Sequence, residues 1–170
     1  MMPSPKLHYE HDVLRGRLAL IDEWVAYLPG ARYTLAHIIQ AVAARFDDHA
    51  EREEALLFGL HLGAQRLPAF VTELPDAHRE YRARMASLLT QLLARDEPLD
   101  ERAAVLARDL ASDLQEHLVQ EETHLFPLLD RYVREMPRRL FTRISTRQGR
   151  YGRAIGGLSA DTSIWRAVIA

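Results

Sequence analysis

Cysteine is absent from this chain. That excludes disulfides, thiolate zinc sites, cysteine-ligated iron–sulfur clusters and cysteine nucleophiles. Any metal must therefore be held by nitrogen and oxygen donors. Long apolar runs are absent too: no stretch of about 18 uncharged apolar residues occurs, so no membrane span is expected. The start, Met-Met-Pro-Ser-Pro-Lys, leads into charged sequence without a signal-peptide apolar region, which points to a cytoplasmic location. No segment sustains period-two alternation, so strands are not expected.

The 170 residues, 48% hydrophobic, suffice for one domain with a single sizeable core. Eight histidines is a rich count for this length. The net charge of −2 is unevenly spread: positions 131–170 hold nine Arg against Glu135 and Asp161, a local +7 that leaves −9 for everything before them.

Apolar residues at three- and four-residue steps predict four helices. The first spans Glu10 to Leu28 and closes at Pro29-Gly30. The second follows Thr34, a fair N-cap, and runs to about Leu62 before Gly63. Pro68 and Pro75 bracket an irregular connection, and a third helix spans Asp76 to about Arg95. After the turn at Asp96–Asp100, a fourth runs through Val105, Leu106, Leu110 and Leu114 to about Arg134, bent or loosened by Pro127. Four amphipathic helices with short connections make an all-α, up-down-up-down antiparallel four-helix bundle over residues 1–136. Residues 137–170 form an Arg-rich tail, partly helical or disordered, that could contact nucleic acid or another acidic partner.

His117 and Glu121 stand four residues apart on the fourth helix, about 40° apart around it and about 6 Å along it. An imidazole and a carboxylate thus leave one face together as a claw for a metal ion. His49 and Glu53 repeat this on the second helix, with Glu54 matching Glu122 and Phe58 matching Phe126. A lone histidine precedes each claw, His11 before His49 and His78 before His117, and the two intervals differ by a single position. The chain reads as two helical hairpins of one plan. A lone His/Glu pair would be no more than a helix-stabilising contact. Here the repeat, and the inward phase of groups that are costly to bury unpaired, point to a metal.

Helical rise puts the six residues at one level. From His11 to Leu28 the chain climbs roughly 26 Å, and from Thr34 to His49 it descends roughly 23 Å. The second hairpin gives about 26 Å each way. Four imidazoles and two carboxylates in one layer suit a dinuclear first-row metal site, with carboxylates bridging and two imidazoles completing each ion. Such donors suit iron, with manganese or zinc as alternatives. A ferritin-like centre would need two ExxH motifs, and the only one is Glu121 to His124. His124 falls near the face of His117, either just behind the ligands or at the core edge. His37 and His61 point elsewhere, and His8 is a lesser substitute for His11.

These six residues, with the ending Glu121-Glu-Thr-His-Leu-Phe-Pro127, resemble the hemerythrin-like, or HHE cation-binding, domain family over roughly residues 8–134. The resemblance implies two non-haem irons: His11 and His49 on one, His78 and His117 on the other, Glu53 and Glu121 bridging. It also implies binding or sensing of a small oxidant (oxygen, nitric oxide or peroxide) in redox or nitrosative stress. The alternatives are catalase-like or nitric-oxide-reducing activity at the same irons, or iron storage and delivery. The oxygen carriers of the family have a further histidine four residues after the third-helix ligand, where this chain has Arg82. The four-His, two-Glu set is closer to bacterial members linked to nitric-oxide and oxidative stress.

Overall fold

The computed structural model describes residues 4–27, 30–63, 67–94 and 101–135. Among them the chain forms helices and no strand: α1 (Ser4–Val25), α2 (Arg32–Gly63), α3 (Ala69–Leu93), α4 (Glu101–Gln120) and α5 (Phe126–Glu135). A single π-helical turn, Glu121–Leu125, joins α4 to α5, so that three segments make one fourth rod. Helix α1 packs on α2 and α4, and α3 packs on the same two, as expected for an antiparallel four-helix bundle. No helix among the described residues is long and apolar enough to cross a membrane. The reading of residues 137–170 as a basic tail, and the turn at 96–100, fall outside the described residues.

The burial pattern is itself a repeat. On α1 the buried positions are Ser4, Leu7, His11, Leu14, Leu18, Ile21 and Val25, a strict alternation of three- and four-residue steps. The same steps recur on α3 as Val71, Leu74, His78, half-buried Tyr81, Met85, Leu88 and Leu92. On α2 the buried Leu35, Ala36, Ile39, Val42, Ala43, Phe46, His49, Ala50 and Glu53 recur, at identical spacing, as Ala103, Ala104, Ala107, Leu110, Ala111, Leu114, His117, Leu118 and Glu121. Each hairpin thus turns one apolar seam inward, interrupted at one level by imidazoles and carboxylates. Beyond that level Leu7, Leu57, Val71, Leu74, Leu125, Phe126 and Leu129 close one end of the core.

Several boundaries differ from the sequence expectation, and proline explains the largest differences. Helix α1 begins at Ser4 rather than Glu10, with Pro5 in its first turn, where a missing N–H costs no helical bond. Ser4 is anchored by Oγ donating to Asp130 Oδ2 at 2.7 Å. Helix α3 begins at Ala69 and carries Pro75 inside it, rather than starting at Asp76. An interior proline costs about 3 kcal/mol. Here that cost is offset by burial of Val71 and Leu74 in the end cluster. His11 and His78 consequently lie well inside their helices. Helix α2 starts at Arg32, whose guanidinium hydrogen-bonds the Leu92 and Ala94 carbonyls at the carboxyl end of α3. On α4, Val105 and Leu106 are exposed, and small Ala103, Ala104 and Ala107 face inward in their place.

Pro127 loosens the fourth rod, as expected, but in the turn before it. A proline ring clashes with the carbonyl four residues back, here that of Thr123, and the wide π turn relieves the clash. Phe126 N–H bonds the Glu121 carbonyl, five residues back.

Candidate metal centre

Four helical rods bring His11, His49, Glu53, His78, His117 and Glu121 to one level. All are fully buried except His117, which is 6% exposed. Burial of two carboxylates and four imidazoles is unfavourable unless each is matched by a partner of opposite character. The four Nε2 atoms all face the two carboxylates.

Glu121 lies between two histidine pairs. Its Oε2 is 3.1 Å from His11 Nε2 and 3.4 Å from His49 Nε2. Its Oε1 is 3.3 Å from His78 Nε2 and 2.8 Å from His117 Nε2. Glu53 divides its oxygens in the same sense, with Oε1 3.6 Å from His49 Nε2 and Oε2 3.6 Å from His78 Nε2. Those separations are too long for hydrogen bonds. Both Glu53 oxygens and His117 Nε2 are buried without a hydrogen-bond partner among the described residues. The close approach of His117 Nε2 to Glu121 is off the hydrogen-bond direction.

A cation resolves this arrangement. The two unpartnered Glu53 oxygens would each cost about 1–3 kcal/mol if nothing met them. His11 Nε2 and His49 Nε2 stand 3.2 Å apart, close enough for one ring to donate to the other or for both to meet one ion. Two nitrogens bound to one ion at about 2.1 Å and a right angle stand roughly 3 Å apart, close to this spacing. Donor atoms of His11, His49, Glu53 and Glu121 lie within 4.8 Å of one another, and so do those of His78, His117 and Glu121. Two cation-sized groups of nitrogen and oxygen donors share Glu121.

Electrostatics separate the two carboxylates. Burial, and then the charge of Glu121, push the Glu53 pKa well above the usual carboxylate range. Burial acts on Glu121 in the same sense, but contacts from His11, His117, His49 and His78 outweigh it and hold its pKa well below. Without a cation, the surroundings thus push Glu53 towards its neutral form and Glu121 towards its charged one.

Around this layer stands a ring of carboxylates and arginines that the sequence reading did not assign. His11 Nδ1 is 2.8 Å from Glu122 Oε1, His49 Nδ1 is 3.3 Å from Glu10 Oε2, and His78 Nδ1 is 3.1 Å from Glu54 Oε1. Arginines hold these carboxylates in turn: Arg15 to Glu122 at 2.8 Å, Arg52 to Glu10 at 2.9 Å, and Arg82 to Glu54 at 3.4 Å. Burial opposes ionisation of Glu122, but the bonds from Arg15 and His11 win and bring its pKa down to about 2. Glu10 and Glu54 are lowered by the same kind of balance. Burial disfavours protonated His49 and His78, yet a carboxylate at each ring nitrogen raises both pKa values. An outer carboxylate fixes the tautomer that turns Nε2 inward and makes that nitrogen a better donor to a metal. Glu54 and Glu122 could have been found, since each follows its claw glutamate directly in both repeats. Arg15 and Arg82 likewise each stand one helical turn after the lone histidine of their hairpin. Glu10 has no such signal.

The π turn explains which other expectations changed. Its extra residue buries both Leu125 and Phe126, and the Phe126 ring centroid lies 4.8 Å from that of His11. Phe58, its sequence match on regular α2, is 54% exposed. His124 is exposed beside Phe70 rather than at the core edge, because the wide turn breaks the seven-residue return to the face of His117. His8 does not replace His11; it sits outside, edge-on to Phe126 and 3.6 Å from Glu122. His37 is exposed, as expected, and the side chain of His61 falls outside the described residues. Tyr81, unassigned by the sequence reading, places its ring 5.0 Å from His117 and donates its hydroxyl to the Asp113 carbonyl at 3.2 Å.

Among known proteins, the family model of the hemerythrin HHE cation-binding domain matches residues 2–129. No curated protein and no solved structure matches the chain. The matched span begins just before α1.

Proposed function

The chain belongs to the hemerythrin HHE cation-binding domain family, and from that premise we propose that it is a non-haem di-iron protein that binds or senses a small oxidant, namely oxygen, nitric oxide or peroxide. In this reading His11 and His49 hold one iron, His78 and His117 hold the other, and Glu53 and Glu121 bridge them. The observation that carries it is Glu121, whose Oε2 faces the first histidine pair while Oε1 faces the second. The orphaned oxygens of Glu53 support a second bridge.

When bound, two neighbouring irons with about four protein donors each supply redox electrons and open positions for a small ligand. The protein's own contribution is burial and orientation. Apolar seams on either side of the layer exclude water, and Phe126 covers the His11 edge. The outer Glu–Arg pairs fix three of the imidazoles. A single buried layer suits one pair of ions rather than a stored mineral, which disfavours iron storage. The likeness to bacterial members linked to nitric-oxide and oxidative stress makes redox or nitrosative stress the proposed setting.

Anaerobic iron(II) reconstitution of the full chain tests this reading. We expect two irons per chain and an absorption change that saturates at one ligand per iron pair with oxygen, nitric oxide or hydrogen peroxide. Sustained consumption of peroxide or nitric oxide, lost in His117→Ala, would replace sensing with the enzymatic alternative. A chain that takes up no iron would overturn both.

A further inference from the structure

The two metal positions share their bridges but differ in what stands behind their histidines. Glu122, Glu10 and Glu54 back His11, His49 and His78, each held by an arginine. None of the described carboxylates reaches His117 Nδ1, and the one ion-pair contact of that ring is Nε2 to Glu121. The repeat supplies the reason. Glu10, which backs His49, immediately precedes His11, and the residue that immediately precedes His78 is Ala77. Ala77, whose side chain ends at a methyl group, thus holds the repeat position that Glu10 holds in the first hairpin.

Three further observations coincide at His117. It is the only one of the six donors with measurable exposure, 6% against 0% for the others. Its Nε2 has no hydrogen-bond partner among the described residues. Its ring is flanked by Tyr81 at 5.0 Å and Phe46 at 6.2 Å, which fill space without fixing a tautomer. An imidazole without an outer carboxylate lacks the partner that would hold its ring and aim Nε2 at a metal.

Resting on the dinuclear reading, we propose that the two positions are unequal: the His11/His49 ion is held firmly, the His78/His117 ion is the exchangeable one, and the Glu10/Ala77 difference sets the gap. Loss of an outer partner of this kind typically lowers metal affinity about 10–100-fold. The weakly held position is then the one at which a replacement metal enters. Glu10 is a positioning residue that acts through His49, and Ala77 marks the missing equivalent.

The test titrates the metal-free full chain with cobalt(II), and anaerobically with iron(II), against a chromophoric chelator. Wild type should bind two ions in two steps separated by about 10–100-fold. His117→Ala should lose the weak step and keep the strong one, and His11→Ala should lose the strong step. Glu10→Ala should weaken the strong step and narrow the gap, with helicity unchanged by circular dichroism. Ala77→Glu should narrow it from the other side by tightening the weak step alone, a gain that a merely structural role would not give. Two equal steps, or a gap unmoved by Glu10→Ala, would overturn the proposal while leaving the dinuclear reading intact. Fewer than two ions in wild type would overturn both.

Discussion

The first hairpin, α1 with α2, and the second, α3 with α4 and α5, carry the same ligands at the same heptad positions, yet their two buried glutamates differ sharply. Glu53 sits on an unbroken α2, with both oxygens unpartnered among the described residues and a strongly raised pKa. Glu121 opens a π turn, meets all four imidazoles and keeps its charge. Repetition placed the donors at one level. The glutamate that opens the π turn is the hub of the site, and the one on the regular helix has no hydrogen-bond partner among the described residues. A site assembled by repeating one hairpin thus need not be symmetric in how it is held.

Opposite effects of the two glutamates on the metal-free protein give the largest test of that comparison. Glu121→Ala leaves four buried imidazoles without their common partner and should cost about 3–5 kcal/mol. Glu53→Leu removes a buried group that finds no hydrogen bond, and should raise metal-free stability by about 1–3 kcal/mol. Both variants should lose the stabilisation that added metal gives the wild type. Urea unfolding with and without metal measures this, and equal destabilisation by the two changes would erase the distinction.

Next in size is the pair of phenylalanines at matched positions. Phe126→Ala empties a buried place against His11 and the end cluster, and should cost about 3–5 kcal/mol. Phe58→Ala, on the exposed face of α2, should stay within about 0.5 kcal/mol. Similar losses would mean that the π turn does not set which phenylalanine faces the core.

The smallest expected effect is on pH. In the metal-free protein His49, His78 and Glu53 all have raised pKa values, so the folded chain binds more protons than the unfolded one near neutrality. The stability they contribute is fully present below the unfolded values and is lost as pH rises through the folded ones. Thermal melting of the metal-free chain should therefore fall between about pH 6 and pH 8, by a few degrees. Metal binding displaces the same protons, so metal-induced stabilisation should grow over that range. Parallel trends with and without metal would show that these groups do not meet the metal.

Much of this was legible in the sequence because repetition and helical phase are properties of spacing. The bundle, the six inward polar residues and their common level all follow from three- and four-residue steps and a rise of about 1.5 Å per residue. Boundaries were less legible. Pro75 reads locally as a breaker, and only burial of its neighbours Val71 and Leu74 shows why the helix runs through it. Hydropathy favours Val105 and Leu106 over the inward alanines of α4, because hydropathy alone does not register a close helix contact. The outer shell was legible only where it repeats, at Glu54 with Glu122 and Arg15 with Arg82. Glu10 reaches His49 across a helix interface, a contact that no spacing along one helix encodes.

Metal-to-metal distance tests the central claim most directly. X-ray absorption on the iron-reconstituted chain, or anomalous scattering from its crystals, should show two ions about 3.5–4 Å apart, the separation of a carboxylate-bridged pair. Both should disappear in Glu121→Ala. A single ion per chain, or two ions too far apart to share a carboxylate, would contradict the claim that Glu53 and Glu121 bridge the two histidine pairs.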